Sequence, residues 1–239
     1  MKRLGTKHPL LFTVVLFFAA LLAASIFVAG ATVTGEDQDT AGALGRIVVG
    51  LMLLLLFRRC FAWDKSLSGV RWALPALCIA LYDIALNVLG GMPLRGAEEL
   101  PRALLLGLAP AVFEETICRG VCIAKLRESG RTPTQTLWLS ALLFGAIHLT
   151  NAVGMSLPNA LIQTGYAVVI GLLLGAVYLR SGDIVSVILA HGVIDVSYQL
   201  FAEHSEQASV PELAAFLLLL SAISFYALWL ARRLKSGNA

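Results

Sequence analysis

Two adjacent carboxylates and a guanidinium interrupt an apolar stretch of the sequence that reads AVFEETICRGVCIA. Charge in hydrocarbon is expensive, so an ionisable residue inside an apolar segment is usually retained for a reaction or a pathway. Glu115 and Arg119 are four residues apart and would share one face of a helix, where they can form an ion pair. Glu114 points about 100° away and has no such cation beside it. Glu114 is therefore the carboxylate that is free to exchange a proton.

Two histidines lie in other apolar segments of the chain. His191 precedes Asp195 by four residues, so both side chains would lie on one helical face, where the acid can hold the imidazole tautomer or share a water. His148 stands alone and is also compatible with a simple hydrogen bond to a neighbouring helix. Asp83 and Asn87 repeat the four-residue step, and we interpret them as hydrogen-bonding groups between helices. A carboxylate and two imidazoles in one buried pocket can deprotonate water and stabilise an oxyanion at a carbonyl.

The composition indicates that membrane-spanning helices position these groups. The chain of 239 residues is 58% hydrophobic and only 14% charged, with a mean hydropathy of +0.82, whereas soluble domains carry about a quarter charged residues. A helical span needs about 20 mostly apolar residues. Eight segments fit, at roughly 10–30, 42–57, 72–91, 101–127, 134–150, 158–180, 183–201 and 210–231. The sequence predicts an all-α polytopic membrane protein, a bundle of about eight transmembrane helices in one domain of residues 1–239.

Most of the basic residues lie on one side of this eight-segment map. The segments on the side of the two termini contain nearly all of the Lys and Arg, and the other side contains only three arginines among several acids. Cytoplasmic loops of membrane proteins are enriched in Lys and Arg. Both termini are therefore predicted to be cytoplasmic. The net charge of +3 follows from this topology, and we expect no nucleic-acid partner.

Three further features concern packing and the membrane surface. The apolar run at 10–29 exceeds the usual signal-peptide core of about 7–15 residues, so we interpret it as an uncleaved span, with cleavage near Ala31 as the alternative. Gly171 and Gly175 form a GxxxG step that allows another helix to approach closely. Three tryptophans near the ends of predicted segments are expected to be interfacial anchors: Trp63, Trp72 and Trp229.

Three motifs occur together in the second half of the chain. EETICR fits the pattern Glu-Glu-x-x-x-Arg, FGAIH fits Phe-x-x-x-His, and HGVID fits His-x-x-x-Asn/Asp. In order and spacing they resemble the motifs of the CPBP intramembrane proteases, the CAAX-processing and bacteriocin-processing family. The likeness covers about residues 100–200, and the run RSGDIVSVILAHGVID also looks like that family's third-motif region, with Asp183 beginning the helix. Asp195 stands where many relatives carry Asn.

The resemblance implies a helical intramembrane endopeptidase that hydrolyses a peptide bond of a membrane-associated protein or peptide. Carried over motif by motif, the resemblance makes Glu114 the general base and Asp195 an orienting partner. It makes His148 and His191 the residues that activate water and stabilise the oxyanion. Glu115 and Arg119 would form a structural pair, and Phe144 would pack beside the site. Residues 100–200 would be the catalytic core of the domain.

The family has been described both as metalloproteases and as glutamic proteases. His148 and His191 with a carboxylate could bind zinc and leave one position open for water. The sequence contains no HExxH pair, and the first motif already supplies a free carboxylate. We therefore favour glutamate-activated water without a cofactor, with zinc as the alternative.

The sequence does not specify the substrate. Prenylated CAAX peptides, bacteriocin leader peptides and protein-sorting tails all occur in the family. A bacterial cell membrane is the expected location, which favours another membrane-bound peptide over CAAX cleavage. Two other functions are compatible with buried polar residues: a non-catalytic immunity or scaffold protein of the same fold, and a proton-coupled transporter. A transporter should spread its polar residues through matched halves of the chain, whereas here they cluster in the second half.

Overall fold

The computed structural model describes residues 2–61, 67–203 and 210–232. In these ranges the chain forms helices joined by short connections, with one isolated antiparallel bridge between Leu94 and Phe201. The predicted all-α class is therefore confirmed. The predicted anchor Trp63 lies outside the described residues, as do both ends of the chain.

The α-helices of the described ranges follow the chain as α1 (Lys2–Lys7), α2 (Pro9–Thr34), α3 (Gln38–Leu56), α4 (Val70–Ala73), α5 (Pro75–Leu89), α6 (Leu100–Glu115), α7 (Ile123–Glu128), α8 (Pro133–His148), α9 (Leu157–Ser181), α10 (Ile184–Gln199) and α11 (Val210–Arg232). A π-helix, Thr116–Cys122, joins α6 to α7 without a break. Short 3₁₀-helices cover Arg58–Cys60, Ala97–Glu99 and Leu149–Val153.

Each of the eight segments predicted from hydropathy coincides with a helical region. Five regions are long and apolar enough to cross a membrane: Pro9–Thr34, Gln38–Leu56, Pro133–Val153, Leu157–Ser181 and Val210–Arg232. α5 and α10 are apolar but shorter. The fourth segment consists of α6, the π-helix and α7, which carry the charged motif. The chain is a polytopic membrane protein, and the number of eight crossings stays a prediction.

Local sequence signals explain where the helices of the second half begin and end. Before α8, the Thr132 hydroxyl accepts from the Gln135 amide at 3.2 Å and the Gln135 side chain accepts from the Thr132 amide at 3.1 Å, which is a capping box. Gly182 ends α9 with a φ of 70°, a left-handed conformation that favours glycine. Asp183 then caps α10 by accepting from the Ser186 amide at 3.1 Å. This confirms the predicted start of α10.

Small residues let α8 and α9 pack closely. A Cβ atom placed on Gly171 would lie 3.0 Å from the Cα of Ala141, and one on Gly175 would lie 2.8 Å from a methyl carbon of Leu137. Both contacted residues are on α8, so the predicted GxxxG packing is confirmed. A side chain at either glycine would push the two helices apart.

The same device joins α6 to α10. A Cβ on Gly107 of α6 would lie 2.6 Å from the backbone nitrogen of Val196, and one on Gly192 of α10 would lie 2.5 Å from Leu108. The two helices therefore cross with their backbones close together. This crossing brings the EETICR and HGVID motifs face to face.

Candidate active site

The EETICR motif lies where one helix changes its hydrogen-bond pattern. α6 ends at Glu115, and the π-helix begins at Thr116. π-bulges accommodate one extra residue and are frequent at functional sites. Arg119 Nη1 donates to Glu115 Oε1 at 2.6 Å, and both side chains are fully buried. The predicted ion pair is confirmed, whereas the π-helix was not predicted.

His191 of α10 joins this ion pair. Its Nδ1 lies 2.8 Å from the same Oε1 atom of Glu115, and its side chain is almost fully buried. An ionised carboxylate can only accept, so Nδ1 carries the proton and donates. One oxygen of Glu115 therefore holds Arg119 and His191 together. Spacing along the chain does not predict this contact, because the two residues are 76 positions apart.

The second nitrogen of His191 faces Asp195. Nε2 lies 3.5 Å from Asp195 Oδ2, so the predicted four-residue contact is present, but it is longer than the bond to Glu115. When the proton of His191 is on Nδ1, Nε2 of the neutral ring has a lone pair, and an ionised Asp195 carboxylate also has only lone pairs to offer. Two lone pairs repel each other, so the contact between Nε2 and Oδ2 is favourable only when one further proton lies between them. His191 and Asp195 are thus arranged to hold a proton that they can share or release.

His148 and Phe144 form the α8 wall of the site. His148 Nδ1 lies 2.8 Å from the Phe144 carbonyl oxygen, and since a carbonyl only accepts, Nδ1 carries the proton and Nε2 of the neutral ring keeps its lone pair. The Phe144 ring meets the rings of His148 and His191 edge-on, with centroids 4.8 and 5.7 Å apart. Phe144 therefore lies at the centre of the candidate site rather than at its margin.

Arg119 is stabilised by the same aromatic ring. Its guanidinium carbon lies 4.1 Å from the Phe144 ring centroid, within the range of a cation–π interaction. Its Nε and Nη2 atoms are buried and make no hydrogen bond within the described residues. The ring face and the Glu115 carboxylate are thus the contacts that offset the burial of this charge.

Glu114 is half-buried beside its fully buried neighbour. Within the described residues its carboxylate makes no hydrogen bond or ion pair. Its charge acts on Asp195, as do the charges of His148 and His191. The structure therefore brings the seven predicted site residues into one cluster. Their individual catalytic roles stay predictions.

Asp83 and Asn87 lie at the edge of this cluster. Asn87 Nδ2 donates to the Asp83 carbonyl at 2.9 Å and to Asp83 Oδ1 at 3.3 Å, within α5 itself. Tyr166 of α9 lies near Asp83 and Asp195. Tyr166 was not identified from the sequence, because one aromatic residue in an apolar helix carries no distinctive signal.

The side chains as placed do not form a zinc site. Within the described residues, no group of three or more His, Cys, Asp or Glu side chains is arranged to hold a metal ion. A catalytic zinc usually has three protein ligands. Nδ1 of each histidine already contacts a protein acceptor, so only the two Nε2 atoms could serve as nitrogen ligands. With the Glu114 carboxylate, these two nitrogens are the donors that remain for the zinc alternative.

The fold and the site together define an integral membrane protein with a buried cluster of acid and base groups. Residues 96–197 match the family described as Type II CAAX prenyl endopeptidase Rce1-like. This segment is therefore similar to the CAAX protease family, in agreement with the resemblance of the three motifs. The match contains all seven site residues and nearly coincides with the predicted core at 100–200. No curated protein and no solved structure gives a match.

Proposed function

We propose that the protein is an intramembrane endopeptidase in which Glu114 activates the attacking water. One observation carries this assignment: Glu115 Oε1 already accepts from Arg119 and from His191, at 2.6 and 2.8 Å. Of the two adjacent glutamates, Glu115 is fully buried, whereas Glu114 is half-buried and makes no hydrogen bond or ion pair within the described residues. The family match supports peptide-bond hydrolysis as the reaction.

Each step of hydrolysis has a group suited to it. Glu114 takes a proton from water, which the Nε2 lone pair of His148 orients, and the hydroxide oxygen bonds to the substrate carbonyl carbon. The proton held between His191 and Asp195 stabilises the resulting oxyanion. When the C–N bond breaks, the amine leaves with the proton that Glu114 had taken. Water and one peptide bond thus give one carboxylic acid and one amine.

Glu115 and Arg119 act by positioning. The buried carboxylate fixes the tautomer and orientation of His191 through Nδ1, so that Nε2 faces Asp195. Arg119 holds the Glu115 carboxylate in this position by pairing with it at 2.6 Å. A pre-oriented donor of this kind stabilises a developing oxyanion without reorganising during the reaction.

Glu114→Gln tests the assignment. The variant keeps the size of the side chain but removes the base, and general-base catalysis contributes about 10²–10⁴-fold in rate. Membranes from a deletion strain complemented with each variant are compared by mass spectrometry for new protein or peptide C-termini. We expect those termini with the wild type and not with Glu114→Gln, at equal accumulation. The matched variant Glu115→Gln should instead reduce accumulation, because it disturbs the buried pair.

If membranes with wild type and with Glu114→Gln contain identical protein or peptide C-termini while both proteins accumulate equally, the proposed protease function is refuted. A non-catalytic immunity or scaffold role of the same fold would then take its place. Loss of activity in Glu115→Gln with normal accumulation, together with retained activity in Glu114→Gln, would exchange the roles of the two glutamates.

Metal dependence is a separate part of the proposal. If Glu114 activates water unaided, purified protein keeps its activity after exhaustive chelation. Activity that chelation removes and zinc restores would instead make His148 and His191 ligands. The carboxylate of Glu114, free within the described residues, supports the metal-free route.

The location and substrate class complete the proposal. The family description names prenylated CAAX substrates, and we propose the broader class of membrane-associated proteins or peptides in a bacterial cell membrane. The distribution of Lys and Arg supports cytoplasmic termini. Reporter fusions at Ala239 and in the 33–41 loop should report opposite sides, and agreement between them would refute the eight-segment map.

A further inference from the structure

Backbone hydrogen bonds join the loop before α6 to the residues after α10. The Arg95 amide donates to the Leu200 carbonyl and the Ala202 amide donates to the Pro93 carbonyl, both at 2.9 Å. These two bonds place Leu94 opposite Phe201 in the isolated antiparallel bridge. Phe201 is fully buried, whereas Leu94 is 63% exposed. The segment 93–95 is therefore the exposed edge of a minimal two-stranded sheet.

The geometry of this bridge fixes where the backbone of Leu94 points. The two hydrogen bonds flank the Leu94–Phe201 pair instead of joining it, so the pair is of the non-hydrogen-bonded type. In such a pair the N–H and C=O groups of the two central residues point away from the partner strand. Leu94 thus presents one donor and one acceptor on the open side. No hydrogen bond among the described residues uses either group.

The edge is held in place before anything binds to it. Arg95 Nε donates to the Gln199 carbonyl at 3.0 Å, and Arg95 Nη1 donates to Glu99 Oε2 at 2.8 Å. Pro93 restricts the backbone on the other side of Leu94 through its fixed φ. An extended binding edge that is already ordered loses little conformational entropy when a ligand pairs with it.

The edge is continuous with the candidate active site through α10. Leu200 follows Asp195 by five residues and His191 by nine, which corresponds to about 7.5 and 13.5 Å of helical rise. An extended peptide covers about 3.3 Å per residue. A peptide added to the open side of 93–95 would lie two strand spacings, about 10 Å, from Leu200. A peptide residue paired with Leu94 would therefore lie about four to five residues from a peptide bond held at His191 and Asp195.

We propose that Leu94 is the edge onto which the substrate adds as an extended strand. This inference rests on the proposed function, because the occupant is the peptide to be cleaved. One substrate residue exchanges both of its backbone hydrogen bonds with Leu94, N–H to C=O and C=O to N–H, in the manner of β-strand addition. The exposed Leu94 side chain supplies an apolar contact beside these bonds.

The same chemistry defines what kind of segment can be cleaved. A transmembrane helix satisfies its own backbone groups, so it offers nothing to the Leu94 edge. The substrate segment must be extended, either next to the membrane surface or after local unwinding. Backbone pairing reads conformation rather than side chains, which predicts tolerance of varied sequences at the paired residue.

The test uses a farnesylated fluorescent peptide with a C-terminal CAAX sequence, and a series in which one amide at a time becomes an ester. Each ester removes one N–H donor. Dissociation constants are measured for full-length Glu114→Gln, which cannot turn the peptide over. One hydrogen bond corresponds to about five- to tenfold in affinity. We expect the affinity to fall by this factor at one ester position only, and the affinities of peptides with esters at neighbouring positions to equal that of the all-amide peptide.

Two variants assign the effect to Leu94. Leu94→Pro removes the N–H group of the edge and should lower the affinity for the all-amide peptide about five- to tenfold. Leu94→Ala keeps both backbone groups, so the sensitive ester position should stay where it is. Equal affinities across the ester series, including uniformly absent binding, would overturn the inference.

The outcomes separate this inference from the proposed function. If the wild type cleaves the all-amide peptide but no ester position is selectively impaired, the inference fails and the protease function stands. If one ester position selectively weakens binding but the wild type cleaves nothing, the binding edge stands and the protease function fails for this substrate class.

Discussion

The helices that form the candidate site and the helices outside it are buried to different extents. We call α6 to α10 the inner group and α2, α3 and α11 the outer group. The buried share of the apolar stretch is 56% for α9 and 39% for Pro133–Val153, which contains α8, against 28% for α2 and α3 and 17% for α11. Most positions of the outer helices therefore need only be apolar. The inner helices must also place particular polar groups against one another.

This difference has an energetic origin. Lipid chains are as apolar as leucine, so burial from water does not drive one span against another inside the membrane. Close packing of small residues and polar contacts supply the association instead. The inner group has both, in the glycine contacts of α6, α9 and α10 and in the buried network around Glu115. Its stability should therefore depend on a few positions.

The largest effect on stability is expected from Arg119→Ala. The substitution leaves Glu115 buried without its cation, which typically costs about 3–5 kcal/mol. The free energy of unfolding in mixed micelles should fall by that amount, and less protein should accumulate. Arg102→Ala is the matched control, since its partners Asp37 and Asp39 are substantially exposed. Equal stability of the two variants would remove the distinction between the inner network and a surface ion pair.

A pair of leucine substitutions compares the two groups directly. Leu173 of α9 is fully buried, and Leu22 of α2 is 72% exposed. Leu173→Ala should lower the free energy of unfolding by about 2–5 kcal/mol, because it leaves a cavity. Leu22→Ala removes a lipid-facing side chain and should stay within about 0.5 kcal/mol of the wild type. Similar losses at both positions would mean that α2 packs against something in the membrane.

The smallest effect is expected where the two groups meet outside the membrane. Arg102 of α6 contacts Asp37, in the turn between α2 and α3, at 2.9 Å. Hydrogen bonds from the Thr40 hydroxyl and then from Arg102 lower the pKa of Asp37 to about 2. The folded-state pKa is depressed below the unfolded value of about 3.9, so the contribution is present above pH 4 and lost as the pH falls towards 2.

Arg102→Ala should therefore lower the thermal midpoint slightly at neutral pH. The difference from the wild type should shrink at acidic pH and in high salt, which screens exposed pairs. If the difference in thermal midpoint between Arg102→Ala and the wild type persists in 1 M salt, Arg102 and Asp37 do not form a solvent-exposed ion pair.

Hydropathy alone located the helices of both groups, because length and apolar composition are properties of each segment by itself. Spacing also predicted the Glu115–Arg119 pair, since positions four apart meet on one helix. It did not predict that His191 would contact Glu115 more closely than Asp195. That contact depends on how α6 crosses α10, which is set by Gly107 and Gly192. The sequence does not show which helix a given glycine meets, since glycines such as Gly45 and Gly145 make equally close contacts elsewhere. The π-helix was also unpredictable, because it differs from an α-helix only in its hydrogen-bond partners.

That π-helix makes one span behave as two helices that are out of phase. One extra residue in a turn rotates everything after it by about 100° relative to a regular helix. The face that presents Glu114 and Glu115 on α6 is thus decoupled from the faces that α7 presents. On α7, Lys125 is turned inward, 8% exposed, and paired with Glu128 at 2.8 Å. Removing one residue between Thr116 and Cys122 would restore a regular winding and force a choice between aiming the carboxylates and seating the lysine.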